Sequence, residues 1–241
     1  MGKKILVQRR GRGTSVFRSR PHKRVAPAKY PRQMTDGMSG IVEELLHEAG
    51  RGAPLAHVRL ENGESHYLIA VDGLHVGQRV ECGRGIAPER GNIGALGDIP
   101  TGTAVCNVEL RAGDGGKLVR SSGTYATVVA HGPTKTSLRL PSKRSIEVGN
   151  DCRATIGIAG GGGRLDKPFL KAGEKRSKKR AKGQKYPTVK GISMIAASHP
   201  HGGGRHRRSL KPTSVSRTAP PGQKVGLIAP KWAGRKKKER G

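Results

Sequence analysis

Leu55-Ala-His-Val-Arg-Leu-Glu-Asn-Gly-Glu-Ser-His-Tyr-Leu-Ile-Ala70 holds two alternating runs on either side of an Asn62-Gly63 pair. In the first run Ala56, Val58 and Leu60 share one face, and His57 and Arg59 share the other. A period of two marks a strand with one buried side. Asn-Gly between such runs predicts a tight hairpin, because both central residues of a type I′ turn need positive φ.

Upstream, Gly40-Ile-Val-Glu-Glu-Leu-Leu-His47 has the apolar content of a short helix, but Asp36-Gly37 and residues 50–54 bound it at strand length. Downstream, Asp72-Gly73 and Val76-Gly77 cut the chain into further short strands as far as Cys82. Four or five strands in about 45 residues is the size of a small barrel, so residues 36–83 are assigned to an OB-like barrel. Residues 84–100 lack periodicity and are expected to form a linker with two turns. In 101–160, strand-like runs at 103–109, 118–120, 125–130, 136–140, 145–148 and 153–158 alternate with turn residues. Their spacing of roughly 8–12 residues predicts a second β barrel or sandwich. No segment keeps a helical period over ten residues, so the expected fold class is all-β. Residues 1–35 are expected to be an extended basic arm, broken by Gly11, Gly13, Pro21, Pro27 and Pro31. Residues 161–241 are expected to run as an extended, glycine-rich basic tail.

The charge follows the same division. Of 47 Lys and Arg, 34 lie in 1–33, 164–190 and 205–241, which together carry only three acids. Residues 34–163 hold 13 bases and 14 acids, so the net charge of +30 belongs to the ends. Dense like charge repels itself and orders against a polyanion, and nucleic acid fits a pI of about 11. An anionic membrane surface would need an amphipathic helix, which the Gly and Pro of the arm oppose. No apolar run approaches the ~18 residues of a membrane span. The start, MGKKILVQRRGRGT, lacks the apolar core of a signal peptide, so the chain is expected to be cytoplasmic. Cys82, Cys106 and Cys152 form no C-x-x-C pair, which favours buried thiols over a zinc site.

Arg9, Arg10, Arg12, Arg18, Lys23 and Arg24 alternate with small residues that let the backbone approach phosphates. The glycine runs 160–163 and 202–204, followed by Arg164 and Arg205, do not fit a phosphate-binding P-loop, nor does Gly113-Asp-Gly-Gly-Lys117. They are expected to thread a crowded groove, with the arginine on phosphate or a base edge. His199, His201 and His206 lack nearby carboxylates, so neither a metal site nor a catalytic triad is expected, and stacking or hydrogen bonding to RNA is. Seven aromatics, none in an RRM-like pair, point to recognition of folded RNA by shape and backbone rather than by base stacking. Candidate RNA contacts are those arm residues together with Arg153, Arg164, Lys167, Lys171, Lys190, His199, Arg205, His206, Arg217, Lys224 and Lys231. No metal, cofactor, small-molecule substrate or membrane partner is expected. A DNA-compacting protein would share the charge. It would be expected to carry tail repeats or wedge residues for the minor groove. An RNA-processing enzyme would need clustered carboxylates or a metal, whereas the acids here are scattered.

Several stretches resemble the universal family of large-subunit ribosomal protein two, in its archaeal and eukaryotic length form. They run from Gly11-Arg-Gly-Thr-Ser-Val-Phe-Arg18 through Arg51-Gly-Ala-Pro-Leu-Ala56 and Gly97-Asp-Ile-Pro-Thr-Gly-Thr-Ala-Val105. They continue in Gly113-Asp-Gly-Gly-Lys-Leu-Val-Arg-Ser-Ser-Gly123, residues 152–164, Lys167-Pro-Phe-Leu-Lys-Ala-Gly173, His199-Pro-His-Gly-Gly-Gly204 and residues 212–229. The resemblance implies an OB-like barrel followed by an SH3-like barrel, with tails threaded into ribosomal RNA among neighbouring ribosomal proteins. It also implies support of subunit association, tRNA binding and the peptidyl-transferase centre, with the chemistry left to RNA. His199 matches a histidine of the family's R-G-x-x-M-N-x-x-D-H-P pattern. Here the stretch reads Lys190-Gly-Ile-Ser-Met-Ile-Ala-Ala-Ser-His-Pro200, so Lys190, Ile195 and Ser198 replace Arg, Asn and Asp. Losing the Asp removes an orienting partner of His199.

Overall fold

A computed structural model describes residues 3–31, 37–206, 208–209 and 211–230. It divides into two compact units, residues 20–171 and residues 1–19 with 172–241.

Unit 20–171 carries ten strands in one sheet, in the order β3-β2-β1-β4-β5-β10-β6-β7-β8-β9. The strands are β1 (Met38–Leu46), β2 (Leu55–Leu60), β3 (Ser65–Ile69), β4 (Arg79–Gly83), β5 (Ile93–Ala95), β6 (Ala104–Cys106), β7 (Ala126–His131), β8 (Lys135–Arg139), β9 (Ser145–Gly149) and β10 (Arg153–Ile156). The chain is all-β in its body: an OB-like barrel followed by an SH3-like barrel. The β1 segment, whose apolar content also suited a helix, is a strand. It pairs with both β2 and β4 and carries a bulge between Val42 and Glu44. A bulge bends the strand, which lets one long element serve two neighbours.

The β2–β3 hairpin forms as predicted, with Val58 opposite His66. Its turn differs. Leu60 N donates to Glu64 O at 2.8 Å, and Gly63 alone has positive φ, at 83°. The loop is therefore Glu61-Asn62-Gly63, a type I turn closed by a left-handed residue, rather than a two-residue type I′ turn.

One core gathers Tyr30, Val42, Ala56, Val58, Leu60, Leu68, Ala70, Val80, Cys82 and Ile93. A second holds Leu96, Ile99, Val105, Val108, Val128, Leu138, Val148 and Ile156 among others. A third cluster, including Leu55, Ile69, Val71, Cys106 and Ala159, joins them. The expected linker at 84–100 is corrected here. Its residues Ile93–Ala95 form β5, parallel to β4 and antiparallel to β10, and Ile93, Leu96 and Ile99 are buried. A three-residue strand is too short to show a period, so the alternation test could not find it. The run at 118–120 contributes only the bridge Val108–Leu118. Cys82, Cys106 and Cys152 are free and buried, and burial pushes the Cys82 and Cys106 thiols up to about 12.

In the other unit the extended-arm expectation is corrected twice. Leu6–Gly11 is a one-and-a-half-turn helix, α1, and Ala172–Ala181 is a longer one, α2. Strands β11 (Ser214–Val215) and β12 (Leu227–Ile228) pair in parallel.

Candidate nucleic-acid interface

Residues at the end of the N-terminal arm are built into unit 20–171. Ala28 and Tyr30 are buried, and the Tyr30 hydroxyl donates to Asn107 O at 2.8 Å and lies 2.7 Å from Thr155 Oγ1. Burial raises the Tyr30 pKa well above 10. Arg120 Nη2 donates to Ala28 O at 2.6 Å, and Lys29 N donates to Tyr67 O. This anchor escaped the sequence reading, because one tyrosine among prolines and bases has no period. An aromatic in a stretch otherwise made for solvent was its available signal.

Two expected RNA contacts are tied to buried carboxylates. Arg153 donates through Nε and Nη2 to the fully buried Glu109 carboxylate at 3.1 and 2.7 Å and through Nη1 to Pro31 O. Its guanidinium also lies 5.3 Å from the centre of the Tyr30 ring. Arg153 is thus held within the fold as a structural clamp, its side chain 14% exposed. Arg24 is half-exposed, with Nη1 2.5 Å from Glu48 Oε1, while Arg51 takes the other oxygen at 3.0 Å. Burial pushes both carboxylates up, but the arginine hydrogen bonds outweigh it, and Glu48 and Glu109 sit below their ordinary 4.5. Lys23 lies in a single 3-10 turn, Pro21–Lys23.

The glycine run 160–163 does thread a crowded groove, but the crowding is protein. A Cβ on Gly161 would lie 3.1 Å from Gly52 O, and one on Gly123 would lie 2.7 Å from Gly162 Cα. Arg164 Nε donates to Ser122 Oγ at 3.1 Å across the same place. Lys167 and Lys171 beyond it are exposed.

The unit formed by 1–19 and 172–241 has a different electrostatic character. Its described residues include nineteen Lys and Arg and one acid, Glu174, so internal pairing cannot neutralise it. Arg9, Arg10, Arg12 and Arg18 are exposed. A groove of about 380 Å³ is lined by Lys4, Arg9, Arg12 and Lys185, with Phe17 and Val16 between them. Helix α2 adds Lys175, Arg176, Lys178, Lys179 and Arg180, none of which the sequence reading singled out. Lys190, Arg205, His206 and Arg217 are exposed and Lys224 is half-buried, whereas Lys231 lies outside the described residues.

His199 is fixed by its neighbours. His201 N donates to His199 Nδ1 at 3.0 Å, so the neutral ring carries its proton on Nε2. A Cβ on Gly191 would collide with the ring, and a Cβ on Gly202 would collide with Met194 O and Ile195 O. The glycines at 191 and 202 therefore close the 191–203 loop around the imidazole. Burial and then His201 lower the His199 pKa below its ordinary 6.5. Ser198, where the resembling family has Asp, has its N–H bonded to Ile195 O at 3.0 Å, and Ile195 is exposed. Among the described residues no three His, Cys, Asp or Glu come together to hold a metal.

Two family models match consecutive parts of the chain. The family described as Ribosomal Proteins L2, RNA binding N-terminal domain, matches residues 4–82, and Ribosomal Proteins L2, C-terminal domain, matches 89–221. A protein named "Large ribosomal subunit protein uL2" from Korarchaeum cryptofilum is 52% identical, covering 99% of this chain and 98% of that one. One of the same name from Hyperthermus butylicus is 52% identical over 99% and 100%. Another from Pyrobaculum arsenaticum is 56% identical over 98% and 96%. With two barrels matched in order, a cationic remainder that the fold leaves unneutralised, and relatives similar along their whole length, this chain belongs to the Ribosomal Proteins L2 family.

Proposed function

We propose that the protein is a structural constituent of the large ribosomal subunit, binding ribosomal RNA and neighbouring ribosomal proteins in the cytoplasm. The observation that carries this reading is the segregation of charge: one unit with Glu174 as its single described acid, attached to two ordinary barrels. The exposed cations assigned to phosphate are Arg9, Arg10, Arg12, Arg18, Lys167, Lys171, Lys190, Arg205 and Arg217, joined by those of α2. Arg164, His206 and Lys224 join them, and Lys23, Arg24 and Lys231 stay within the proposal as candidates. Arg forks onto phosphate oxygens while Lys acts as a point charge, so together they tolerate an irregular RNA surface.

The finer part of the proposal is architectural support of subunit association, tRNA binding and the peptidyl-transferase centre, without catalysis by this chain. His199 supports that division. Its Nδ1 already accepts an amide hydrogen, and no described acid orients the ring, so it serves as an Nε2–H donor rather than as a general base.

With about eight phosphate contacts, affinity for an rRNA fragment falls by roughly 10³–10⁵ between 50 and 200 mM salt. A filter-binding series tests this, and a flat slope refutes it. Co-sedimentation tests the assembly: the protein stays with large subunits after a high-salt wash. Release into the soluble fraction, or onto DNA, would favour a general polyanion binder.

A further inference from the structure

The outer face of the second barrel carries a groove that the charge argument does not use. Ala126 and Val128 of β7 point into the core, so Tyr125 and Thr127 point out. Arg139 of β8 sits directly opposite Thr127 on that outer face. The β8–β9 hairpin closes one end, and together these elements line a groove of about 360 Å³ with Leu140, Pro141 and Lys143. Tyr125 is 47% exposed, a large aromatic surface left open to solvent. No described acid forms an ion pair with Arg139 or Lys143.

Lys143 makes the groove more than a chance hollow. Leu140 N donates to Arg144 O at 2.9 Å and Lys143 N to Leu140 O at 2.9 Å, the same three-residue loop as at β2–β3. In the first hairpin Gly63 takes the left-handed position, and in the second Lys143 takes it, with φ at 64°. A side chain there is unfavourable compared with glycine. The rigid loop therefore holds an ammonium beside the groove at a position where folding alone favours glycine. The opposite wall is fixed too, since Gly123 packs against Gly162 and Ala159 N donates to Thr124 O at 3.1 Å.

We propose that this groove captures one unpaired nucleotide of RNA, the base stacked on Tyr125 and the flanking phosphates on Arg139 and Lys143. The proposal rests on the RNA-binding reading above. Bases inside an A-form helix keep their faces stacked on one another, whereas a bulged base offers its π face to Tyr125 and two accessible phosphates. Such a site adds base stacking at one position to the recognition of folded RNA by shape and backbone.

The test uses the full-length protein and two hairpin RNAs carrying 2-aminopurine, one with the probe bulged and one with it paired. The wild type and Tyr125→Phe quench the bulged probe and prefer that hairpin. Tyr125→Ala and Tyr125→Leu lose the quenching and about 5- to 150-fold in affinity for it. Lys143→Gly keeps its melting temperature, because glycine suits the loop, yet weakens the same complex. Equal quenching by Tyr125→Leu, or equal affinity of the wild type for both hairpins, would overturn the nucleotide site while leaving RNA binding intact. Failure to bind either hairpin at low salt would overturn the RNA reading together with it.

Discussion

Glu109 is fully buried and accepts from Arg153 Nε, Arg153 Nη2, the Arg153 backbone amide and Gly115 N. Removing one member of such a pair leaves the other charge unpaired, which typically costs about 3–5 kcal/mol. Glu109→Gln is therefore expected to lower the unfolding free energy of the barrel unit by about 3–5 kcal/mol at neutral pH, read from urea unfolding. The same geometry sets the acid response. The folded pKa values of Glu48 and Glu109 lie below the ordinary 4.5, so their contribution is complete above that value. It is lost as pH falls from 4.5 through the lowered folded values. Urea midpoints measured stepwise below pH 4.5 should drop, and more gently in Glu109→Gln. His199 follows the same sign at higher pH. Its folded pKa is below 6.5, so its unit weakens as pH falls from 6.5. An NMR titration of the His199 Cε1 proton should give a value below 6.5 that rises in His201→Asn, and an unperturbed wild-type value would contradict the loop geometry.

At the scale of elements, α2 shows what periodicity misses. Its ten residues have no buried side chain, so no apolar stripe exists to be read. Local signals were present instead: helix-forming Lys, Arg and Ala residues, Glu174 in the first turn, and bases in the last turn. Gly183 then ends it with φ at 64°, Gln184 N donating to Lys179 O and Gly183 N to Arg180 O, a Schellman cap. A free helix under about 12–15 residues is marginal in water, and self-repulsion weakens this one further. Hydrogen exchange of amides 172–181 in the full-length protein should be fast alone and slowed on RNA. Equal protection in both conditions would mean that the helix does not depend on a polyanion. Strands were more legible than helices because β8, and β2 from Ala56 to Leu60, bury alternate side chains. β5 was not, since Ile93, Gly94 and Ala95 are all buried.

Across the whole molecule, the buried cores and the excess of positive charge are carried by different stretches. The three buried apolar clusters lie within residues 20–171, while the unit of 1–19 and 172–241 holds the excess of cations. Deleting 172–241 should leave the thermal transition of the barrels in place. It should also flatten the salt dependence of RNA binding, by roughly 0.9 in slope for each phosphate that the shortened chain no longer neutralises. A collapse of the barrel transition would show that the two functions are not separable. Composition alone placed the +30 charge on the ends, and alternation alone placed β2, β3 and the turn between them, because both are properties of neighbouring residues. Which cations are tied to internal acids was decided only by tertiary structure. Arg153 looks like any other base in the sequence, yet it meets Glu109 from 44 positions away and Pro31 from 122. A cation is tied down internally only where an acid lies within reach, and that depends on distances the chain acquires when it folds.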